Sequence, residues 1–275
     1  MHTLVYQNHK GKDIDLLYGD LHVLNIDDLF ASQYEPVNQS GRIYSFSTDI
    51  KRINLKLEID GQWKSTIDEL IDITTQDIRF CKKGRLIFDG HQYLPCYITT
   101  AELQNVYFKG VYVECEIEVI TDQPYWISEK LYSYYRTEGT SVATKRYPHS
   151  YPYQYGAIRG IGEIYNLQFY PAHYRMVIYG PVINPSIIIG DINYQVWTTL
   201  SSNEFLVIDY TGEHTRTIIQ YHRDGTTSNC FNKRNKESNI FAKISTGKNK
   251  VIWSGDFSFD ISLINERTVP KWISS

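Results

Sequence analysis

The chain has 275 residues and a mass of 32.1 kDa, enough for one large or two medium domains around a buried core. A formal net charge of -3 excludes the global basic field that grips nucleic acid regardless of sequence. No apolar run approaches a membrane span, and residues 1–6 lack the basic-then-apolar pattern of a signal peptide, so assembly in a cytoplasm is expected.

Up to residue 41 the chain mixes short apolar pieces, such as Leu21-His22-Val23-Leu24, with polar turns. A strand follows over 51–60, where Ile53, Leu55, Leu57 and Ile59 alternate with Asn54, Lys56, Glu58 and Asp60. Thr66-Ile67-Asp68-Glu69 then reads as a capping box. Ile67, Leu70, Ile71, Thr74 and Ile78 form the apolar face of the helix it opens, and Asp68, Asp72 and Asp77 the solvated face. Lys82 and Lys83 suit the C-terminal end of the dipole, and Gly84 stops the helix.

Asp89-Gly90 signals a hairpin, whose second run contains Pro95 and so reads as an edge strand. Over 111–119, Val111, Val113, Cys115, Ile117 and Val119 alternate with Tyr112, Glu114, Glu116 and Glu118. Strands interrupted by one helix make residues 1–127 an α+β unit, a split-barrel-like sheet. Asp122-Gln123-Pro124-Tyr125-Trp126 marks a boundary, and 128–160, rich in Tyr, Gly and Pro, reads as a connection ahead of a second domain reaching residue 275.

That second domain is a series of short strands. Ile187 and Ile189, then Tyr194, Val196 and Thr198, then Phe205, Val207 and Asp209, then Arg216, Ile218 and Gln220 recur between turn signals at Gly190, Asn203, Gly212, Asp224-Gly225 and Gly247. Phe257, Phe259, Ile261 and Leu263 close the series. The pattern argues for a mainly β protein whose C-terminal half is an antiparallel sandwich or jelly roll.

Catalytic signatures are missing: there is no H-E-x-x-H, G-x-S-x-G or G-x-x-x-x-G-K-[ST]. Residues 156–162 are glycine-rich but open no helix, and read as a flexible connector. The four cysteines, Cys81, Cys96, Cys115 and Cys230, have no metal-ligand spacing and read as reduced core thiols. His214 and His222 read as surface loop residues. Glu204 and Asp209, at odd separation along one strand, face apart and cannot flank a glycosidic bond. No enzyme, metal or cofactor is expected. Two surfaces invite function. Tyr194, Trp197 and Tyr210 could stack on a sugar ring, and Glu114, Glu116 and Glu118 line one face of a strand, either solvated and paired with Lys56 and Arg52 or serving as an acidic surface.

Several pieces, taken in order, carry a resemblance. They are Asn184-Pro185, the Asp224-Gly225 hairpin before Asn229-Cys230-Phe231-Asn232-Lys233-Arg234, the Trp253-Ser254-Gly255-Asp256-Phe257-Ser258-Phe259 run, and Glu266-Arg267 with Pro270 and Trp272. With residues 151–156 and the layout of the first 127, they make the whole chain resemble the distal tail (Dit) proteins of long-tailed, siphovirus-type bacteriophages. The resemblance implies a homo-hexameric ring built by the N-terminal domain and a galectin-like C-terminal platform. It also implies that the ring joins the tail tube and tape-measure protein to the tail-associated lysin and, in some members, to receptor-binding proteins. In such a ring the row Glu114, Glu116 and Glu118 would line the channel and let DNA slide, and the polar segment 11–41 would wrap a neighbour. The alternative is a carbohydrate-binding module contacting host cell wall. The galectin-type H-x-N-P-R and W-G-x-E-x-R strands are absent.

Overall fold

Apolar alternation becomes buried strands in the computed structural model of the protein, which describes residues 2–32, 34–39, 41–47, 50–106, 112–137, 160–212 and 215–272. The chain divides into Met1–Ser128 with Glu266–Ser275 as unit 1, and Glu129–Asn265 as unit 2. Residues 266–275, expected in the second domain, therefore belong to the first. The physical reason is aromatic. Trp272 stacks on Phe30 at 4.3 Å between ring centroids and meets Phe88 edge-on at 5.7 Å. Lys271 donates its N–H to Gln92 Oε1 (2.7 Å), and Gln92 Nε2 donates back to the Lys271 carbonyl (2.8 Å).

Unit 1 contains β1 (Leu4–Gln7), β2 (Asp13–Asp15), β3 (Leu21–Val23), β4 (Glu35–Gln39), β5 (Arg42–Ser47), β6 (Lys51–Asp60), α1 (Trp63–Phe80), β7 (Gly84–Phe88), β8 (Gln92–Val106), β9 (Tyr112–Thr121) and the start of β10 (Trp126–Tyr134). β8 belongs to two antiparallel sheets. Its first residues pair with β7, which leads on to β1 and β2, and from Tyr97 it pairs with β9, which leads on to β6 and β3. Both sheets and α1 close on one core containing Leu4, Leu55, Leu70, Leu86, Ile117 and Trp126. Pro95 is thus not on an edge strand. It sits opposite Arg85 of β7, between Tyr93, where β10 pairs, and Tyr97, where β9 begins, so its missing donor falls in a gap of the ladder. Val111, assigned to β9 from sequence, lies outside the described residues.

The helix is real but longer at its start than the capping box suggested. It begins at Trp63 behind Gln62 with no side-chain cap, so Thr66 lies inside it and turns its hydroxyl back to the Gln62 carbonyl (3.3 Å). It ends at Phe80, with Cys81 in the left-handed conformation (φ 49°), and Gly84 opens β7 instead of stopping the helix. The buried face is Ile67, Leu70, Ile73, Thr74 and Asp77, while Ile71 and Ile78 are exposed. Asp77, expected in solvent, is fully buried. It accepts from Tyr6 Oη (2.6 Å) and from the His9 N–H (3.0 Å), and its Oδ1 lies 2.5 Å from His9 Nδ1. Burial first, then the Asp77 hydrogen bond, pushes the Tyr6 hydroxyl far above the usual phenol range.

Unit 2 contains β11 (Gly160–Asn166), β12 (His173–Tyr179), β13 (Val182–Ile183), β14 (Ser186–Ile189), β15 (Ile192–Gln195), β16 (Thr199–Leu200), β17 (Phe205–Gly212), β18 (Thr215–Tyr221), β19 (Thr227–Asn229), β20 (Gly247–Trp253) and β21 (Phe259–Arg267), with the rest of β10. One sheet runs β10-β21-β12-β17-β18-β19 and the other β11-β20-β14-β15. Their inner faces share a core that includes Tyr174, Ile208, Ile261, Ile187, Tyr194 and Val251. This is the sandwich the turn spacing called for. On β17 the residues facing the core are Leu206, Ile208 and Tyr210, one position out of phase with the run read from sequence, although Val207 is buried as well.

Candidate functional site

The acidic row stands on β9, flanked on both sides. Opposite Glu118, Glu116 and Glu114 lie Asn54, Lys56 and Glu58 of β6, and Thr100, Glu102 and Asn105 of β8. Cys115, Ile117 and Val119 point into the core, so the glutamates project from the other face. They are half-buried and partnered. Arg52 Nη1 donates to Glu118 Oε1 (2.8 Å), Thr99 Oγ1 to Glu118 Oε2 (3.1 Å), and Gln104 Nε2 to Glu116 Oε2 (3.2 Å). The Arg52 hydrogen bond, then that of Thr99, holds the Glu118 carboxyl below its usual range. The face remains acidic, because among the described residues Glu58, Glu102, Glu114, Glu116 and Glu118 share it with Arg52 and Lys56.

A second surface was only partly legible. The segment 11–41 is not a free strap. β2 and β3 pair into the sheets, and Leu16, Leu21 and Leu29 lie in the core of unit 1. Among the described residues, the β4–β5 hairpin pairs with no other strand. It carries Val37, Ile43 and Tyr44 to the surface, Tyr44 with 79 % of its area exposed. An isolated two-stranded hairpin is marginal in water, and exposed apolar residues grouped on one mark a candidate interaction surface.

The aromatic trio does not form a platform. Tyr194 and Tyr210 are 1 % and 3 % exposed, Tyr194 donating to the Ala242 carbonyl (3.1 Å) and Tyr210 packing edge-on against His173, and only Trp197 reaches solvent. Their strand period places Tyr194 and Tyr210 inward, and sequence alone could not tell which face would be covered. An open cleft of about 470 Å³ does exist in unit 2, lined by Ile183, Ile188, Trp253 and Phe257 among others, and it contains none of the three.

His222 is not a bare loop residue. Its Nδ1 lies 2.9 Å from Glu204 Oε1 and its Nε2 2.7 Å from Ser228 Oγ. Glu204 also accepts from the Ser201 N–H (2.8 Å) and Gln220 Nε2 (3.2 Å), so the network ties the turn before β17 to β18 and β19. His214 and residues 138–159 lie outside the described residues.

Gly160 and Gly162, read as part of a connector, belong to β11. A Cβ on Gly160 would enter the Trp253 ring, and one on Gly162 the Tyr134 ring. These glycines let aromatic rings lie on the backbone. The cysteines are all free, and Cys96, Cys115 and Cys230 are buried as expected, but Cys81 is exposed at the helix end. Burial pushes the Cys96 thiol up to about 12 and that of Cys115 to about 11. Among the described residues no three His, Cys, Asp or Glu side chains cluster as metal ligands, and no helix is long and apolar enough to cross a membrane.

No protein-family profile and no curated protein matches the sequence. Solved structures do. The chain is similar to a protein of the phage P2 baseplate in its activated conformation with Ca, at 16 % identity and a TM-score of 0.64, covering 98 % of this chain and 100 % of that one. The corresponding structure with Sr gives 15 % identity and a TM-score of 0.65 over the same shares. The SPP1 Dit protein, described as a paradigm of the hub adsorption apparatus in phages infecting Gram-positive hosts, gives 8 % identity and a TM-score of 0.57, covering 97 % and 99 %. Over nearly its whole length, therefore, this chain has the β-rich fold of the phage Dit and baseplate hub proteins.

Proposed function

We propose that the protein is a structural component of a phage tail tip or baseplate and performs no reaction. Six copies form a ring at the distal end of the tail tube through unit 1. The ring joins the tube and tape-measure protein to the tail-associated lysin, while unit 2 serves as a galectin-like platform for receptor-binding components. The full-length likeness to baseplate hub structures supports the architecture. The observation that carries self-association is the β4–β5 hairpin, self-paired and apolar at the surface, with backbone edges a neighbouring copy can use. The acidic face around Glu114, Glu116 and Glu118 suits a channel wall that repels DNA phosphates.

Native mass spectrometry and negative-stain imaging of the purified chain test this reading. Hexameric rings are expected, and replacing residues 35–47 with a short Gly-Ser turn leaves folded monomers. A chain that stays monomeric at high concentration sinks the ring, and a deletion variant that still assembles sinks the hairpin's part in it. A ring reconstruction with the three glutamates on its outer rim removes the channel role alone.

A further inference from the structure

In unit 1 the loop after β1, the turn after α1, the start of β7 and the start of β8 line an open cleft of about 340 Å³. Its wall includes Asn8, His9, Lys82, Lys83, Arg85 and Tyr93, with no carboxylate among the lining residues. Asn8 is only 4 % exposed. Its Oδ1 accepts from the Lys10 N–H (3.0 Å) and the Lys12 N–H (2.9 Å), which fixes Nδ2 as the donor end of the amide. That buried Nδ2 has no acceptor among the described residues. A buried donor without an acceptor loses its hydration with nothing in return, so an acceptor is wanted here.

The charges around it say which kind. Lys82 and Arg85 are exposed, and Arg85 lies over the Tyr93 ring at 5.5 Å. Lys83 is held by Asp122, and the nearby Asp77 is already engaged by Tyr6 and His9. The cleft thus offers cationic and neutral donors and lacks an anion. We infer that it binds a carboxylate, supplied by an acidic side chain of a protein segment or by a free small acid, which accepts from Asn8 Nδ2 and pairs with Arg85 and Lys82. This site stands independently of ring formation, since every group in it belongs to unit 1 of one chain.

The experiment titrates the full chain at constant ionic strength with sodium acetate, an acetylated Glu-Asp-Glu peptide and sodium chloride, following the Asn8 side-chain amide and the Arg85 Nε–H by NMR. Saturable shifts at both groups with acetate or peptide, and none with chloride, are expected. Lys82→Gln with Arg85→Gln, both at exposed positions, weakens binding by roughly tenfold or more, and Lys248→Gln in unit 2 leaves it unchanged. Saturation by acetate and peptide alike assigns the site to free acids as well; saturation by the peptide alone assigns it to a protein segment. Shifts that match those in chloride, or binding that survives the double substitution, overturn the inference and leave the Asn8 amide to water.

Discussion

Asp77 shows how a single residue can belong to the fold while looking like surface. Its position repeats with Leu70, Ile73 and Thr74 at helical spacing, so the period marks the inward face, but the carboxylate argues for solvent. Only Tyr6 and His9, brought in from β1 and the following loop, make its burial acceptable. Asp77→Ala removes the carboxylate that both of them share and lowers the stability of unit 1 by about 3 kcal/mol. Asp68→Ala, on the exposed face, changes it by less than about 0.5 kcal/mol. Denaturant melts of the full chain, read at the transition of unit 1, separate the two.

Hydrogen-bonded carboxylates make stability depend on acid. Hydrogen bonds hold Glu118 (from Arg52, then Thr99), Glu163 (from Lys248, then Tyr165), Glu204 (from Ser201, then His222) and Asp224 (from Thr226) below their ordinary range. The folded chain therefore binds protons less readily than the unfolded one. The stability they contribute is present above the ordinary carboxylate range and is lost as pH falls through their lowered values. Melting temperature should drop on acidification in that window, and less steeply in Glu204→Gln. A pH profile identical to that of the unsubstituted chain would refute the assignment.

Among the elements, strands with one buried face were the most legible. The alternation at 51–60 and 111–119 named the inward residues, and Ile53, Leu55, Leu57, Ile59 and Cys115 are buried accordingly. Strands that gain their meaning from a neighbour were not. The glycines of β11 looked like slack because the Trp253 and Tyr134 rings that lie on them come from β20 and β10. Tyr134 and its β10 neighbour Tyr132 shield the outer edge of β11. Tyr132 Oη donates to the Tyr165 carbonyl (2.8 Å) and accepts from its N–H (3.2 Å), and Tyr134 Oη donates to the Glu163 carbonyl (3.0 Å). Two of the 23 tyrosines thus serve edge protection. Gly160→Ala forces Trp253 to move and costs about 1–3 kcal/mol. Gly225→Ala, at φ 83° in a turn with open space around it, costs only about 1 kcal/mol of backbone strain. Thermal melts of the two variants give this order, and equal losses would contradict it.

For the whole molecule, the last residues decide how the chain may be cut. A chain ending at Ser128 loses Trp272 and the paired Gln92–Lys271 hydrogen bonds, so it should melt lower than the same chain with 266–275 appended through a flexible linker. Trp272→Ala in the full chain should lower the stability of unit 1 by about 1–2 kcal/mol, read by the same denaturant melts. Equal melting of the two truncated forms would show that the C-terminal segment adds nothing. The sequence by itself determined the β-rich class, the long helix of unit 1, most turn positions and the inward residues of most strands, because these follow from local period and backbone preference. Only the tertiary structure decided that Tyr194 and Tyr210 are core, that Asp77 is buried, that the β4–β5 hairpin pairs with no other described strand and that the C-terminal segment belongs to unit 1. Each of these depends on which distant segment covers a given face, and no local pattern encodes that.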